Sequence, residues 1–153
     1  MSLNNRLSSS VHALLHLTGH ETPLTSEALA GALHTNPVVV RQTMAGLRDA
    51  GIVRSERGHG GGWSLARDPG EITLRDVYVA LGTPALFSLR NRTENPTCLV
   101  EKAVNTALTA ATVDAQALFL ERLGTITLAS MMEEFHAFQA AWQNALEVCA
   151  DAV

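Results

Sequence analysis

The sequence predicts a mainly α-helical fold with one small β-hairpin. Apolar residues recur at helical spacing over most of the 153 residues. A strong helix start, Asn36-Pro37, is followed by a loop with four glycines in six residues, 57–62, that lies between two short extended segments. These observations place a hairpin directly after a well-capped helix.

The first half of the chain predicts three helices. Residues 6–19 form the first, since apolar side chains recur there at helical spacing: Leu7, Val11, Leu14, Leu15 and Leu17. Thr25 is the expected cap of a short second helix. Asn36 caps the third helix, 36–50, and Pro37 occupies its first position, where the missing N–H costs nothing.

The hairpin and a fourth helix complete this half. Ile52–Glu56 and Trp63–Ala66 are the expected strands on either side of the glycine-rich loop. Thr73, with Asp76 three residues later, resembles a capping box for a helix that runs through Leu81.

The second half predicts two further helices. No Gly or Pro occurs from Thr97 to Leu123, which predicts one long helix over about residues 98–123. Gly124 interrupts the pattern, and a last helix follows over about 127–149. The expected organisation is therefore residues 1–82 as one domain, a loop at 83–97 and a helical region at 98–153.

Composition predicts a cytoplasmic protein with no membrane partner. No apolar run approaches the roughly 20 residues that a membrane-spanning helix needs. The N-terminus lacks the continuous apolar stretch of a signal peptide. The two cysteines, Cys98 and Cys149, lie far apart and form neither a disulfide framework nor a closed metal site.

Charge is distributed unevenly along the chain. The net charge is −4, yet the segment from Asn36 to Arg67 holds five arginines against Asp49 and Glu56, a local +3. From Asp76 to the end, four bases stand against nine acids, a local −5. A basic segment of this kind can dock on a polyanion while the acidic one is held away from it.

The order helix, turn, capped helix and glycine-tipped hairpin is typical of a winged helix-turn-helix, whose third helix enters the major groove of DNA. Val40, Met44 and Leu47 are expected to face the interior. Arg41 and Gln42 are the base-contacting candidates, because Arg forks onto guanine and Gln onto adenine. The predicted DNA-contacting residues are those of the third helix and its N-terminus together with the loop: Thr35, Asn36, Pro37, Val38, Arg41, Gln42, Arg48, Arg57, Gly58 and His59. Ser8, Ser9 and Ser10 are weaker phosphate-contact candidates.

Other interpretations of the same residues stay open. The exposed Arg and Gln side chains can be an ordinary solvated helix face, and the domain can be a small-molecule or partner-protein binding module that keeps the fold without specific DNA binding. The discriminating feature is the face with Arg41, Arg48, Arg54 and Arg57, which DNA binding requires to be free of acidic cover. An enzyme is not predicted, because no nucleophile has a nearby, oriented set of partners in the sequence.

The chain resembles the Rrf-two family of bacterial transcription regulators, which includes the IscR and NsrR regulators. The resemblance is carried by residues 36–67, NPVVVRQTMAGLRDAGIVRSERGHGGGWSLAR, whose portion AGIVRSERGHGGGWSLAR is highly specific. Further matches are ITLRDV after the hairpin and TITL at the start of the last helix. The segments TNPVVVRQ and NPTCLV resemble the YwnA-like branch of the family.

The resemblance implies a homodimer in which the long helix crosses its partner, and a short palindromic operator contacted by two recognition helices. It also implies a repressor as the commoner role. Iron–sulfur members use three cysteines in the loop and at the start of the long helix, whereas this chain has only Cys98 between Arg90 and Val113. We therefore expect no cofactor. The expected partners are DNA, a second copy of the chain and an unknown effector or oxidant.

Three further features have competing interpretations. Cys98, at the expected N-terminus of the long helix, is a candidate thiol switch. Oxidation would convert it to a sulfenic acid or join it to Cys149 across the dimer. In the alternative interpretation, both cysteines are small packed hydrophobic residues. The spacing of His12, His16 and His20 can bind zinc or copper, although solvated or packed histidines are commoner and no metal site is predicted. The aromatic residues are expected mainly in the core: Trp63, Phe87, Phe119, Phe135 and Trp142.

Overall fold

The computed structural model describes residues 3–58, 60–84 and 98–150, with side chains over 6–58, 60–84 and 98–143. Within these ranges it has six α-helices and one two-stranded antiparallel sheet, which confirms the predicted fold class. The helices are α1 (Leu3–Thr18), α2 (Ser26–Ala32), α3 (Pro37–Asp49), α4 (Leu74–Ala80), α5 (Leu99–Gly124) and α6 (Leu128–Ala150). The strands are β1 (Val53–Glu56) and β2 (Gly62–Leu65), and a short 3-10 helix lies at Pro69–Glu71.

The predicted helix caps are present. Asn36 Oδ1 accepts a hydrogen bond from the backbone N–H of Val38 at 2.8 Å, and Pro37 follows in the first turn of α3. At the start of α4, Thr73 Oγ1 accepts from the Asp76 N–H at 3.1 Å while Asp76 Oδ2 accepts from the Thr73 N–H at 2.9 Å, a complete capping box. These contacts satisfy N–H groups that a helix start otherwise leaves unpaired.

One hydrophobic core joins the first four helices and the hairpin. It contains a buried stripe from each helix of the first half, together with the inner residues of the hairpin: Val11, Leu14, Leu17, Leu29, Val40, Met44, Leu47, Ile52, Val53, Trp63 and Val77. Leu128, in the first turn of α6, is also fully buried in this core. The start of the last helix therefore belongs to the same packing unit as the hairpin and α1.

Two backbone bridges that the sequence did not predict tie the fold together. Leu24 pairs with Trp63 of β2, with N–H to O distances of 3.0 and 2.8 Å in the two directions. Thr73 pairs with Thr127, where the N–H of Leu74 donates to the Ile126 carbonyl at 2.9 Å and the N–H of Leu128 donates to the Ile72 carbonyl at 3.0 Å. The second bridge fixes the α5–α6 turn against the start of α4.

Helices α5 and α6, on either side of that turn, leave apolar side chains exposed. Helix α5 packs against α4, whereas α6 packs against α1 and the 3-10 helix. The expectation of core aromatics holds for Trp63 but is wrong for Phe119, Phe135 and Trp142. These three are 36%, 51% and 71% exposed in the single chain, because the other described elements leave these parts of α5 and α6 uncovered. Phe87 lies outside the described residues. In the described part of the chain, no helix is both long and apolar enough to cross a membrane.

Candidate nucleic-acid interface

Helix α3 has one buried and one exposed face. Val40, Met44 and Leu47 are at most 2% exposed, as their spacing of four and three residues predicted. Val38, Arg41 and Gln42 are exposed on the other side. The packing of the inner face orients the outer one, so the exposed side chains project from a fixed helix.

The exposed face is densest in the N-terminal half of α3. Arg41 and Gln42 follow Val38 by three and four residues, a spacing that puts all three on one side of the helix. Arg48 lies seven residues beyond Arg41, about 10 Å further along the axis. The N-terminal half is the part of a recognition helix that contacts base edges, which favours Arg41 and Gln42 over Arg48.

The N-terminus of α3 offers backbone N–H groups, as predicted for Thr35, Asn36 and Pro37. The side-chain oxygen of Asn36 is engaged by the N–H of Val38, while Thr35 and Pro37 are half-buried. These residues therefore shape the helix start, and any phosphate contact there uses main-chain donors of the first turn.

The tip of the hairpin follows from its glycines. Strands β1 and β2 pair from Val53 opposite Leu65 to Glu56 opposite Gly62. Gly58 and Gly60 adopt φ values of +96° and +80°, which side chains rarely permit, and the N–H of Gly61 donates to the Gly58 carbonyl at 3.0 Å. Arg57 is exposed beside this turn, and His59 lies outside the described residues.

The end of β2 next to the tip is held against the start of α2 and the residues before it. Gly62 lies so close to the backbone of Leu24 that a Cβ atom would meet the Leu24 carbonyl oxygen at 2.5 Å. Next to it, the indole Nε1 of buried Trp63 donates to Ser26 Oγ at 3.0 Å. This glycine therefore permits close packing between two chain segments.

Acidic side chains accompany the arginines, contrary to expectation. We expected the face with Arg41, Arg48, Arg54 and Arg57 to be free of acidic cover, and this is wrong for three of the four. The nearest nitrogen–oxygen distances are 3.4 Å for Arg41–Glu27, 3.0 Å for Arg48–Asp49 and 3.8 Å for Arg54–Glu56. All six side chains are largely exposed, so each pair contributes at most about 1 kcal/mol and a phosphate can compete for the guanidinium.

One weaker candidate is also corrected. Ser10 is fully buried and its hydroxyl donates to the Arg6 carbonyl at 2.7 Å, one turn earlier in α1. It cannot contact phosphate in this fold, since the core packing that places Val11 and Leu14 inward also turns Ser10 inward. Ser8 is exposed and Ser9 is half-buried.

Cys98 lies at the N-cap position of α5 and is exposed. The backbone N–H groups of Glu101 and Val100 lower the pKa of its thiol below the usual value, although the sulfur forms no full capping hydrogen bond. Cys149 lies on α6, and its side chain is outside the described residues. Among the described residues, no group of three or more His, Cys, Asp or Glu side chains could hold a metal ion.

Comparison with known proteins identifies the relatives of this fold. The model of the Rrf2 family, described as an iron-dependent transcriptional regulator, matches residues 3–134. YwnA of Bacillus subtilis (strain 168), a candidate HTH-type transcriptional regulator, is 32% identical over 130 residues, which cover 85% of this chain and 96% of YwnA.

Solved structures show the same fold. The crystal structure of a candidate DNA-binding protein superimposes with a TM-score of 0.68 at 32% identity, covering 83% of this chain and 98% of that one. IscR of T. potens superimposes with a TM-score of 0.64 at 24% identity, covering 88% of each chain. With the family match running from α1 through the hairpin and α5 to the first turns of α6, the chain belongs to the Rrf2 family of transcriptional regulators and is not an enzyme.

Proposed function

We propose that this chain is a homodimeric transcriptional repressor that binds a short palindromic operator through α3 and the hairpin tip. The observation that carries the proposal is the exposed Val38, Arg41 and Gln42 face on a helix whose opposite face is buried. Arg41 is assigned to a guanine and Gln42 to an adenine in the major groove. Arg57, at the hairpin tip, is assigned to the phosphate backbone or the adjacent minor groove.

The exposed apolar surface of α5 and α6 supports the dimer. Seven large apolar side chains on α5 and three on α6 are at least 36% exposed in the single chain. Along α5, exposed residues alternate at spacings of four and three, a period that suits close packing of two helices: Val104, Leu108, Ala111, Ala115 and Leu118. A second copy is the occupant we propose, because a two-fold axis would cover this seam with the same seam and set two α3 helices about one DNA turn apart.

The test is a competition experiment with the DNA upstream of the protein's own gene. We expect salt-dependent binding that random DNA does not compete away at equal concentration. Arg41→Ala should weaken binding by about 1–3 kcal/mol, and Arg57→Ala should lower the salt slope by about one phosphate contact. Arg122→Ala, on exposed α5, is the matched control for loss of one positive charge. Equal affinity for promoter and random DNA would contradict the proposal.

We propose further that the regulator works without an iron–sulfur cluster. Family membership implies iron, but the donor set does not fit, since a cluster needs about four thiolates or their substitutes and the whole chain has two cysteines. Only exposed Cys98 lies near the start of α5. Anaerobic reconstitution with iron and sulfide should give no cluster absorption and no change in operator affinity; a stoichiometric cluster would refute this.

Cys98 is the proposed sensor of an oxidant such as hydrogen peroxide. The thiolate sulfur attacks one peroxide oxygen, the O–O bond breaks, and hydroxide leaves as the sulfenic acid forms. A disulfide with Cys149 of a second copy would then release water. Mass spectrometry should find Cys98 oxidised at peroxide levels that change operator binding, and Cys98→Ser should abolish that response. A fully responsive Cys98→Ser protein would remove Cys98 from the mechanism.

Two observations favour the alternative of a small-molecule or partner-protein binding module. The first is the acidic side chains beside three of the four arginines. The second is a groove of about 400 Å³ between α1 and α3, with Arg6, Leu33 and Gln42 among its lining residues. An occupant would touch the base-contacting helix directly. The two functions separate in the competition experiment, because a module that does not use DNA would show no promoter preference in the presence or absence of metabolites.

A further inference from the structure

Two histidines on α1 face each other outside the proposed DNA interface. His12 and His16 are one helical turn apart, and their ring centroids are 4.9 Å apart with the planes tilted by 32°. The two Nε2 atoms lie 3.2 Å from each other. Residues one turn apart lie on the same face of a helix, and here their two Nε2 atoms converge on one place at its surface.

The nitrogen–nitrogen distance fits two arrangements. In one, a ring donates its Nε2–H to the Nε2 of the other. In the other, both Nε2 atoms bind one metal ion: two ligands at about 2.0–2.1 Å from zinc with a tetrahedral angle are about 3.4 Å apart, and with a right angle about 2.9 Å. The observed 3.2 Å lies between these limits, so chelation needs almost no movement of either ring.

We propose that His12 and His16 form a two-nitrogen chelate for a divalent transition metal ion at the surface of α1. Imidazole nitrogens favour Zn²⁺, Ni²⁺ and Cu²⁺ over Mg²⁺ or Ca²⁺. Because no cluster of three or more metal-binding side chains occurs among the described residues, water completes the coordination and the ion is exchangeable. The site shares no residue with the thiol Cys98 or with the face of α3.

The experiment titrates the full chain with Ni²⁺ and follows heat release together with the ¹⁵N resonances of the histidine rings. One ion per chain should bind, and the Nε2 signals of His12 and His16 should broaden and lose intensity, because Ni²⁺ with nitrogen and water ligands is paramagnetic. His12→Ala, at an exposed position, should weaken binding about tenfold or more, because the remaining ring loses the high effective concentration of its partner. His16→Asn should have the same effect.

His136→Ala on α6 is the matched control, because it removes an exposed histidine outside the pair; it should leave the affinity unchanged. Urea unfolding of each metal-free variant verifies that the fold is intact. Unchanged Ni²⁺ affinity in His12→Ala would overturn the proposal. So would the absence of binding to the wild-type chain up to millimolar Ni²⁺, which would leave the pair as a hydrogen bond alone.

Discussion

In the proposed complex with DNA, Arg41 would exchange one partner for another. In the free chain its guanidinium lies 3.4 Å from the Glu27 carboxylate of α2, and both side chains are more than half exposed. An exposed pair of this kind contributes about 0–1 kcal/mol, which a bidentate contact to guanine can offset. In that complex Glu27 would also bring a negative charge close to the phosphates, so it would oppose binding in two ways.

Glu27→Gln should therefore raise operator affinity about two- to tenfold, because it frees Arg41 and removes a charge that repels phosphate. Fluorescence anisotropy at two salt concentrations measures the change, which should be larger at low salt. Glu71→Gln, in the 3-10 helix, is the control that removes one exposed carboxylate elsewhere. A weaker operator complex in Glu27→Gln would mean that Glu27 positions Arg41 rather than competing with DNA.

His16 links stability to pH. Its pKa in the folded chain is lowered from 6.5, first by burial and then by His12 and His20, so the unfolded chain binds more protons as the pH falls below 6.5. The folded state should consequently lose stability on acidification through that window and keep it above. The measurement is the urea midpoint of unfolding in EDTA at about pH 8 and at about pH 5.5. The difference between these two midpoints should be smaller for His16→Gln than for the wild-type chain. A difference as large as in wild type would show that other groups dominate.

At the scale of elements, the hairpin depends on its bridge to Leu24. A Cβ at Gly62 would lie 2.5 Å from the Leu24 carbonyl oxygen and 2.7 Å from the carbon, and backbone atoms cannot move aside as a flexible side chain can. Gly62→Ala should cost about 1–3 kcal/mol of unfolding free energy, measured by urea denaturation. The N–H of Trp63 to Leu24 carbonyl bond is the contact most directly broken.

Gly31→Ala is the same substitution as Gly62→Ala, but we expect it to raise the stability of the protein. Gly31 lies in α2, and an added Cβ there meets no atom within 4 Å. The substitution should stabilise the protein by about 0.5–1 kcal/mol, since alanine loses less backbone entropy in a helix. If both variants shift stability in the same direction, the close approach of Gly62 to Leu24 is not what determines the effect.

Local sequence patterns predicted the helices and strands, but they did not predict which distant segments pair with each other. The Asn36 cap and the Thr73–Asp76 capping box are contacts within three residues, so their pattern is complete in the sequence. The bridges Leu24–Trp63 and Thr73–Thr127 join residues far apart, and nothing in either segment alone specifies its partner. The Arg41–Glu27 pair escaped for the same reason, because it depends on how α2 packs against α3. The buried stripe of α3 was predictable, and its electrostatic surroundings were not.

At the scale of the molecule, the fold consists of a packed core and two helices that leave it. Leu128 anchors the start of α6 in the core, and Leu123 is buried at the end of α5. Between Leu118 and Leu99 the large apolar side chains of α5 are exposed, by 37% at Leu108 and up to 81% at Leu99. A surface of this length costs solvation free energy unless another protein surface covers it. Its spacing on α5 matches a helix seam, and the same spacing on a second copy makes the seam self-complementary.

Leu118→Glu tests whether this seam holds the dimer. In the proposed dimer, the carboxylate at position 118 would be buried close to the same carboxylate of the second copy, and the two negative charges would repel each other. Analytical ultracentrifugation should therefore show a shift from dimer to monomer at micromolar concentration. Val79→Glu on α4, where Val79 is 53% exposed, introduces the same charge outside α5 and α6 and should leave the sedimentation unchanged. A palindromic operator is bound more tightly when two recognition helices are linked in one dimer. The Leu118→Glu chain should therefore also lose affinity for the operator, while its affinity for a single half-site changes little. A Leu118→Glu protein that still sediments as a dimer would place the interface on another surface of the molecule.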